Sequence, residues 1–66
     1  PGEIRDGRVQ TNGGSLNLRG LPSTDGAVLA QMPNGASVRI LAEYNDWYSI
    51  FYDGLYGFAE RQYIAV

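Results

Sequence analysis

Aromatic side chains are the residues of this sequence best suited to chemistry, and the chemistry they favour is binding. The 66 residues include five Tyr, one Trp and two Phe, but no His and no Cys. A core this small cannot bury every tyrosine with its hydroxyl hydrogen-bonded, so we expect some of them to form a surface patch. Trp and Tyr at a surface stack on peptides or sugars with little loss of side-chain entropy. Five aromatic side chains are therefore candidate ligand contacts: Tyr44, Trp47, Tyr48, Tyr52 and Tyr56.

Three of the candidate residues have a structural interpretation as well as a binding one. Trp47 opens a predicted strand directly after a turn, where it either covers the core edge or serves as a ligand platform, and the two roles are compatible. Asn17 and Arg19 are predicted to face outward, so their side chains either hold nearby loop backbone or hydrogen-bond to a peptide. The structural role is favoured for each, and the binding role stays open. Tyr63, with one or two other tyrosines, is expected to be structural.

Hydrolytic catalysis lacks its usual groups in this chain. Without His no Ser-His-Asp triad can form, and without Cys there is neither a thiolate nucleophile nor a thiolate metal site. Four acidic residues fall in predicted turns or loops, where turn formation explains them better than a glycosidase carboxylate pair does. These are Asp25, Asp46, Asp53 and Glu60. We therefore expect no enzymatic activity, no catalytic residue, no metal site and no cofactor.

Charge and hydropathy argue against two classes of partner. The net charge is −2, and the five Arg residues are spread among acidic residues, so no basic block could follow a phosphate backbone. No apolar run approaches the roughly 20 residues that a membrane span needs, and no signal peptide is recognisable. We expect no nucleic-acid partner, no membrane span and a monomeric state.

Turn signals divide the chain into short strands, which is typical of an all-β domain. Four turns are predicted, at Asn12-Gly13-Gly14, Pro33-Asn34-Gly35, Asn45-Asp46 and Asp53-Gly54. The predicted strands are residues 15–19, 28–32, 38–42, 47–52, 55–59 and 63–66. A chain of 66 residues suffices for one domain only. Short strands in such a chain favour a small bent barrel, because closing the sheet removes exposed strand edges.

Alternation of apolar and polar residues predicts which side chains face the core. Leu16 and Leu18 alternate with polar residues, and Val38 and Ile40 share one face of the next clear strand. Tyr48, Ile50 and Tyr52 share one face of theirs. Residues 1–7 are polar and without pattern, so we predict a linker or a cloning remnant there and a domain over 8–66. Because the chain begins with Pro rather than Met, we expect it to be a piece of a longer protein.

Five short motifs, in order, resemble the bacterial SH3-like (SH3b) domain family. Residues 15–23 resemble its Leu-Asn-Val-Arg strand and following Pro-Ser loop, and residues 28–38 resemble its second strand and Gly-containing turn. Residues 46–50 resemble its Gly-Trp-x-x-Val strand, with Asp46 where Gly is usual. Gly-Phe-Ala at 57–59 and Tyr-Ile at 63–64 resemble its last two motifs. The resemblance covers residues 8–66 and implies an all-β, SH3-like barrel.

The end of the chain also resembles eukaryotic SH3 domains, in which a single helical turn precedes the last strand. This likeness covers residues 58–64, but Glu60 stands where those domains carry a groove-shaping Pro. Their Ala-Leu-Tyr-Asp-Tyr motif is also missing. The fold implied is a small SH3-like barrel of five to six short strands with one helical turn before the last strand, whereas binding of Pro-rich peptides is not implied.

The SH3b resemblance implies a function that composition alone does not. Members are usually accessory modules of secreted bacterial proteins, often beside a peptidoglycan hydrolase domain, and several bind cell-wall peptides. We therefore expect a non-catalytic module that targets a neighbouring hydrolase domain to cell-wall peptide, in a secreted or wall-associated protein. The alternative is an intramolecular scaffold that packs on its parent enzyme and shapes the substrate cleft without binding a ligand.

Overall fold

A computed structural model describes residues 4–66, which form seven strands and one short helix. The elements are β1 (Arg5–Val9), β2 (Leu16–Arg19), β3 (Val28–Met32), β4 (Ser37–Tyr44), β5 (Trp47–Tyr52), β6 (Leu55–Glu60), the 3-10 helix η1 (Arg61–Tyr63) and β7 (Ile64–Ala65). All pairings are antiparallel in one sheet of order β3-β2-β6-β5-β4-β1-β7. The predicted all-β, SH3-like class is confirmed, and η1 is the predicted helical turn before the last strand.

The sheet wraps around a single core. Met32 of β3 and Ile64 of β7 belong to the same buried cluster although their strands stand at opposite ends of the sheet order. A flat sheet could not bring these two side chains together, so the strands must curve around the cluster. Its buried members are Val9, Leu16, Leu18, Met32, Val38, Ile40, Tyr48, Ile50, Ala59 and Ile64. The predicted inward faces of β2 and β4 are confirmed.

The first strand corrects the predicted domain boundary. β1 begins at Arg5 and pairs with β4 from Arg5 opposite Ile40 to Arg8 opposite Ser37, so residues 5–7 belong to the barrel rather than to a linker. Residues 1–3 of the predicted linker lie outside the described residues. With β1 included, the sheet has seven strands, whereas five or six were predicted.

Gly7 explains why β1 has no apolar alternation. The inward positions of the strand are residues 5, 7 and 9, and of these only Val9 is an apolar side chain. A Cβ at Gly7 would lie 2.9 Å from Ile64 Cγ2 and 3.0 Å from Ile40 Cδ1. Glycine therefore lets β1 approach the core closely. Because Gly7 has no apolar side chain, the sequence of β1 lacks the alternation by which a strand is predicted.

Tight turns fix the two ends of the β5 strand. Asp53 and Gly54 have φ of 50° and 81°, the two positive values that a type I′ hairpin turn requires. Asn45 has φ of 55° and begins the other turn, which places Trp47 opposite Tyr44. Asn and Asp tolerate this left-handed region better than other non-glycine residues do. Both predicted turns are confirmed, and the Asn45-Asp46 turn positions Trp47 in the candidate site.

Candidate ligand-binding groove

Two adjoining depressions meet at Trp47 and Glu60, and together they are called the groove. The smaller, of about 340 Å³, is bounded by the loop between β1 and β2, by β2 itself and by Tyr63. The larger, of about 690 Å³, is bounded by Pro22, Ser23 and Thr24 of the β2–β3 loop, by Asp46, and by the start of η1. Trp47 and Glu60 line both depressions. The two depressions therefore adjoin at this residue pair.

Trp47 lies at the centre of the groove because of its place in the sheet. It is the first residue of β5, pairs with Glu60 of β6 on one side and with Tyr44 of β4 on the other, and is half-buried. Tyr48 and Ile50 alternate with it and face the core. The indole is thus partly covered and partly accessible, which is compatible with both roles predicted for it.

The Arg19 side chain makes its hydrogen bonds to the main chain of a nearby loop. Its Nη1 donates to the main-chain oxygens of Thr24 at 3.0 Å and Gly26 at 2.9 Å, so the guanidinium holds the β2–β3 loop that forms one wall of the groove. Within that loop the main-chain N–H of Gly26 also donates to the oxygen of Ser23. Arg19 therefore acts on the groove by fixing its wall.

Asn17 lines the smaller depression from β2 and is half-buried. Among residues 4–66, its side-chain amide has no hydrogen-bond partner. An amide offers two donors and an acceptor, which matches the hydrogen-bonding groups of a peptide main chain. Of the two polar candidates on β2, Asn17 is the one whose side chain makes no hydrogen bond to residues 4–66, so it is the better placed to contact a ligand directly.

Tyr48 is buried, so it is not accessible to a ligand, contrary to the prediction. Its side chain is only 4% exposed and belongs to the core, because it alternates with Trp47 and shares the inward face of β5 with Ile50. The guanidinium carbons of Arg5 and Arg61 lie 5.9 Å and 5.8 Å from its ring centre. Tyr48 is thus a structural tyrosine whose ring is covered by two cations.

The remaining three tyrosine candidates lie outside both depressions. Tyr52 packs against the core from the inward face of β5. Tyr44 is 50% exposed and its ring meets Phe58 edge to face, 5.7 Å between centres. Tyr56 is 71% exposed and pairs with Phe51 at 4.7 Å. Of the seven predicted site residues, the groove therefore brings together Asn17, Arg19 and Trp47.

Several groove residues were missed by the sequence-based prediction. Tyr63 was expected to be structural, yet it is 38% exposed and lines the smaller depression. Glu60, Asp46 and Gln62 were not candidates, although each lines the larger depression. The likeness of residues 58–64 to eukaryotic SH3 domains contained the relevant signal, because Glu60 stands where those domains carry their groove-shaping Pro.

A charged cluster next to the groove holds its wall in place. The Glu43 carboxylate lies 2.7 Å from Arg5 and 3.8 Å from Arg61, which joins β4, β1 and η1. Arg61 also donates its main-chain N–H to the oxygen of Asp46 at 2.8 Å and an Nη1 hydrogen to that of Asn45 at 3.5 Å. These contacts position the β4–β5 turn, and with it Trp47, against η1.

The groove carries two carboxylates, Asp46 and Glu60, as well as two arginines, Arg19 and Arg61. Among residues 4–66, neither Asp46 nor Glu60 has an ion pair; the three pairs present are Arg5–Glu43, Arg39–Asp6 and Arg61–Glu43. Glu60 Oε1 accepts one hydrogen bond, from Gln62 Nε2 at 3.1 Å. The described part of the chain holds no group of three or more acidic, His or Cys side chains arranged for a metal ion. It also has no helix long and apolar enough to cross a membrane.

Comparison with known proteins identifies the family of this chain. A search of curated proteins found no match. Residues 14–65, from just before β2 into β7, match the bacterial SH3 domain, a family of small binding-type modules that are generally non-catalytic. The matched span includes Trp47, Glu60, the β2–β3 loop and η1, but not Thr11 and Asn12 of the β1–β2 loop. Since it covers well over half of the sequence, the chain belongs to the bacterial SH3 domain family.

Proposed function

We propose that the groove binds a short peptide of the bacterial cell wall. The domain then holds a neighbouring peptidoglycan hydrolase domain of a secreted or wall-associated parent protein near its substrate. The observation that carries this proposal is the pair of depressions that adjoin at Trp47, in a member of a family of binding modules. A groove that extends to both sides of an accessible indole suits an extended ligand that crosses the aromatic ring.

The lining of the groove supports a peptide over a purely apolar ligand. On one side of Trp47, Asn17 presents an amide that has no hydrogen-bond partner among residues 4–66, and on the other side Ser23 and Gln62 present a hydroxyl and an amide. Such groups pair with the alternating N–H and C=O groups of a peptide main chain. Short cell-wall bridge peptides offer few side chains to recognise, so their binding would depend on such main-chain contacts.

Binding by one such groove is expected to be modest in affinity. Its benefit arises from tethering, because a module attached to an enzyme raises the local concentration of the bound wall polymer near the active site. A parent enzyme therefore gains retention at the wall without any contact between the groove and the scissile bond.

The proposal is tested by sedimentation with purified peptidoglycan. The isolated domain should co-sediment with the polymer and should be released by short bridge peptides at millimolar concentration. Chitin, which shares the glycan chemistry but has no peptide, is the matched control and should not retain the domain. Absence of retention on peptidoglycan, or equal retention on chitin, would contradict peptide recognition.

A second candidate is the intramolecular scaffold, and a separate apolar surface favours it. Leu21 of the β2–β3 loop and Val28 and Leu29 of β3 are exposed, and β3 is an end strand in the sheet order. These three residues are called the β3 patch. An exposed apolar surface beside a strand edge is suited to contact with a neighbouring domain of the same chain.

Hydrogen exchange in the parent protein separates the two candidates. If the domain acts as a scaffold, the amides of β3 should be protected in the intact parent compared with the isolated domain. If it acts only as a ligand module, β3 should exchange equally in both, and protection should appear around Trp47 when peptidoglycan peptide is added.

A further inference from the structure

Glu60 has a distinctive place in the groove, directly beside the indole of Trp47. The two residues are register partners across β6 and β5, and both line each of the two depressions. Directly opposed residues of antiparallel strands have Cβ atoms about 4.5–5.5 Å apart. Glu60 is also half-buried, so its carboxylate is less fully hydrated than one on an open surface. A ligand that crosses Trp47 must therefore meet this carboxylate.

The two arginines that line the groove, Arg19 and Arg61, direct their side-chain hydrogen bonds to groups other than Glu60. Arg19 donates to the carbonyl oxygens of Thr24 and Gly26, and Arg61 is directed towards Glu43 and the oxygen of Asn45. Within residues 4–66, no Arg nitrogen lies within 4.0 Å of a Glu60 oxygen. Within residues 4–66, the Glu60 carboxylate therefore has no directly paired cation, although Arg19 and Arg61 also line the groove.

The hydrogen bonds of Glu60 leave capacity for a ligand. Gln62 Nε2 donates to Oε1, and Oε2 accepts no hydrogen bond from the described residues. A carboxylate oxygen accepts two hydrogen bonds, so at least Oε2 is available to a donor that enters the groove. The neighbouring indole face offers a second favourable surface for a positive charge.

We propose that Glu60 makes the groove selective for peptides that present a free primary ammonium group next to Trp47. The inference rests on the proposed peptide-binding function and names the chemistry that the site selects. An ammonium donates charge-assisted hydrogen bonds to Glu60 and lies against the indole, whereas a ligand carboxylate at that position is repelled. The ammonium comes from the α-amine of a bridge peptide or from the side-chain amine of a diamino acid.

Three synthetic peptides distinguish these sources without any change to the protein. The probes are pentaglycine amide, its N-acetylated form, and N-acetyl-Gly-Gly-Lys-Gly-Gly amide, each titrated into the 15N-labelled domain. A free amine in either position should strengthen binding by about fivefold to tenfold over the acetylated, uncharged pentaglycine. The peptide that binds more tightly identifies which amine the groove accepts.

The matched variants are Glu60→Gln and Asp53→Asn, which remove the same charge at opposite ends of the β5–β6 hairpin. E60Q should reduce affinity for the amine peptides to that of acetylated pentaglycine and leave the latter unchanged. D53N, at a turn position with φ of 50° that Asn tolerates, should bind all three peptides as the unaltered domain does.

The outcomes separate failure of this inference from failure of the proposed function. If all three peptides shift the resonances of Trp47 with equal affinity, the groove binds peptide but does not select an ammonium, and only this inference is wrong. If none of them shifts these resonances at millimolar concentration, both are wrong. The comparison of acetylated and free peptides remains decisive even if E60Q fails to fold.

Discussion

The two ends of the β5–β6 hairpin are both rich in aromatic residues, yet they differ in what surrounds those residues. At the open end, Trp47 stands where two depressions meet and where the β2–β3 loop and η1 form the walls. At the turn end, Tyr56 is 71% exposed and pairs with Phe51, and it lies in neither depression. Aromatic composition alone therefore does not predict where a depression forms. The two depressions lie where hydrogen-bonded loops surround Trp47.

The largest expected effect contrasts these two ends in ligand binding. Trp47→Ala removes the platform shared by both depressions and should weaken binding of a cell-wall peptide at least about tenfold. Tyr56→Ala removes a more exposed aromatic from the turn end and should change the affinity less than about twofold. Isothermal calorimetry or NMR titration measures both. Equal losses for the two variants would show that the ends do not differ in function.

The second effect concerns the wall of the groove. Arg19→Met keeps the apolar stem but removes the donors to Thr24 and Gly26, and it should lower the free energy of unfolding by about 1–2 kcal/mol. Arg39→Met is the control, because Arg39 is exposed and lies 3.6 Å from exposed Asp6. It should change stability by less than about 0.5 kcal/mol. Urea unfolding measures both, and similar values for the two variants would refute the role of Arg19.

The third effect tests the turn end. Gly54→Ala places a Cβ at φ of 81° and should destabilise the domain by about 1 kcal/mol. Gly14→Ala is the control, since Gly14 has no positive φ and an added Cβ there meets no atom within 4 Å. Thermal unfolding compares the two variants. If G54A weakened peptide binding while the fold remained intact, the turn end would take part in recognition.

The smallest effect concerns the charged cluster behind the groove. Glu43→Gln breaks ion pairs that are about half exposed, so it should cost less than about 1 kcal/mol. The difference from the unaltered domain should shrink further at 1 M salt, where the Debye length is about 3 Å. Denaturant unfolding at low and high salt measures this effect. A loss that is larger than about 1 kcal/mol and independent of salt would mean that the cluster acts through packing rather than charge.

Local patterns were sufficient to predict most of the strands. Leu16 and Leu18 alternate with polar neighbours, and the Asp53-Gly54 pair is favoured in a two-residue hairpin turn, so each segment carries its own signal. Strand β1 carries no such signal, because Gly7 occupies an inward position that an apolar residue would otherwise mark. Its place is decided by pairing with β4 and β7, which are distant in sequence.

The groove was less predictable than the fold because it is assembled from distant residues. Trp47 meets Glu60 only through the register of β5 and β6, and Pro22 reaches this pair only because the β2–β3 loop folds back. Tyr48 was chosen as a ligand contact on residue type, but the parity of β5 places it in the core with Ile50. Residue type was thus enough to select Trp47 and Asn17, which line the groove, whereas the positions of Glu60 and Tyr63 in it follow only from the three-dimensional arrangement.

The central claim, that ligand recognition belongs to the open end of the hairpin, is tested most directly by a chemical-shift map. The 15N-labelled domain is titrated with a soluble peptidoglycan peptide that carries a free amine. The resonances of Asn17, the Trp47 indole and Glu60 should shift together and saturate at one affinity, while those around Tyr56 and the β3 patch remain in place. Saturable shifts confined to Tyr56 or to the β3 patch would contradict the claim.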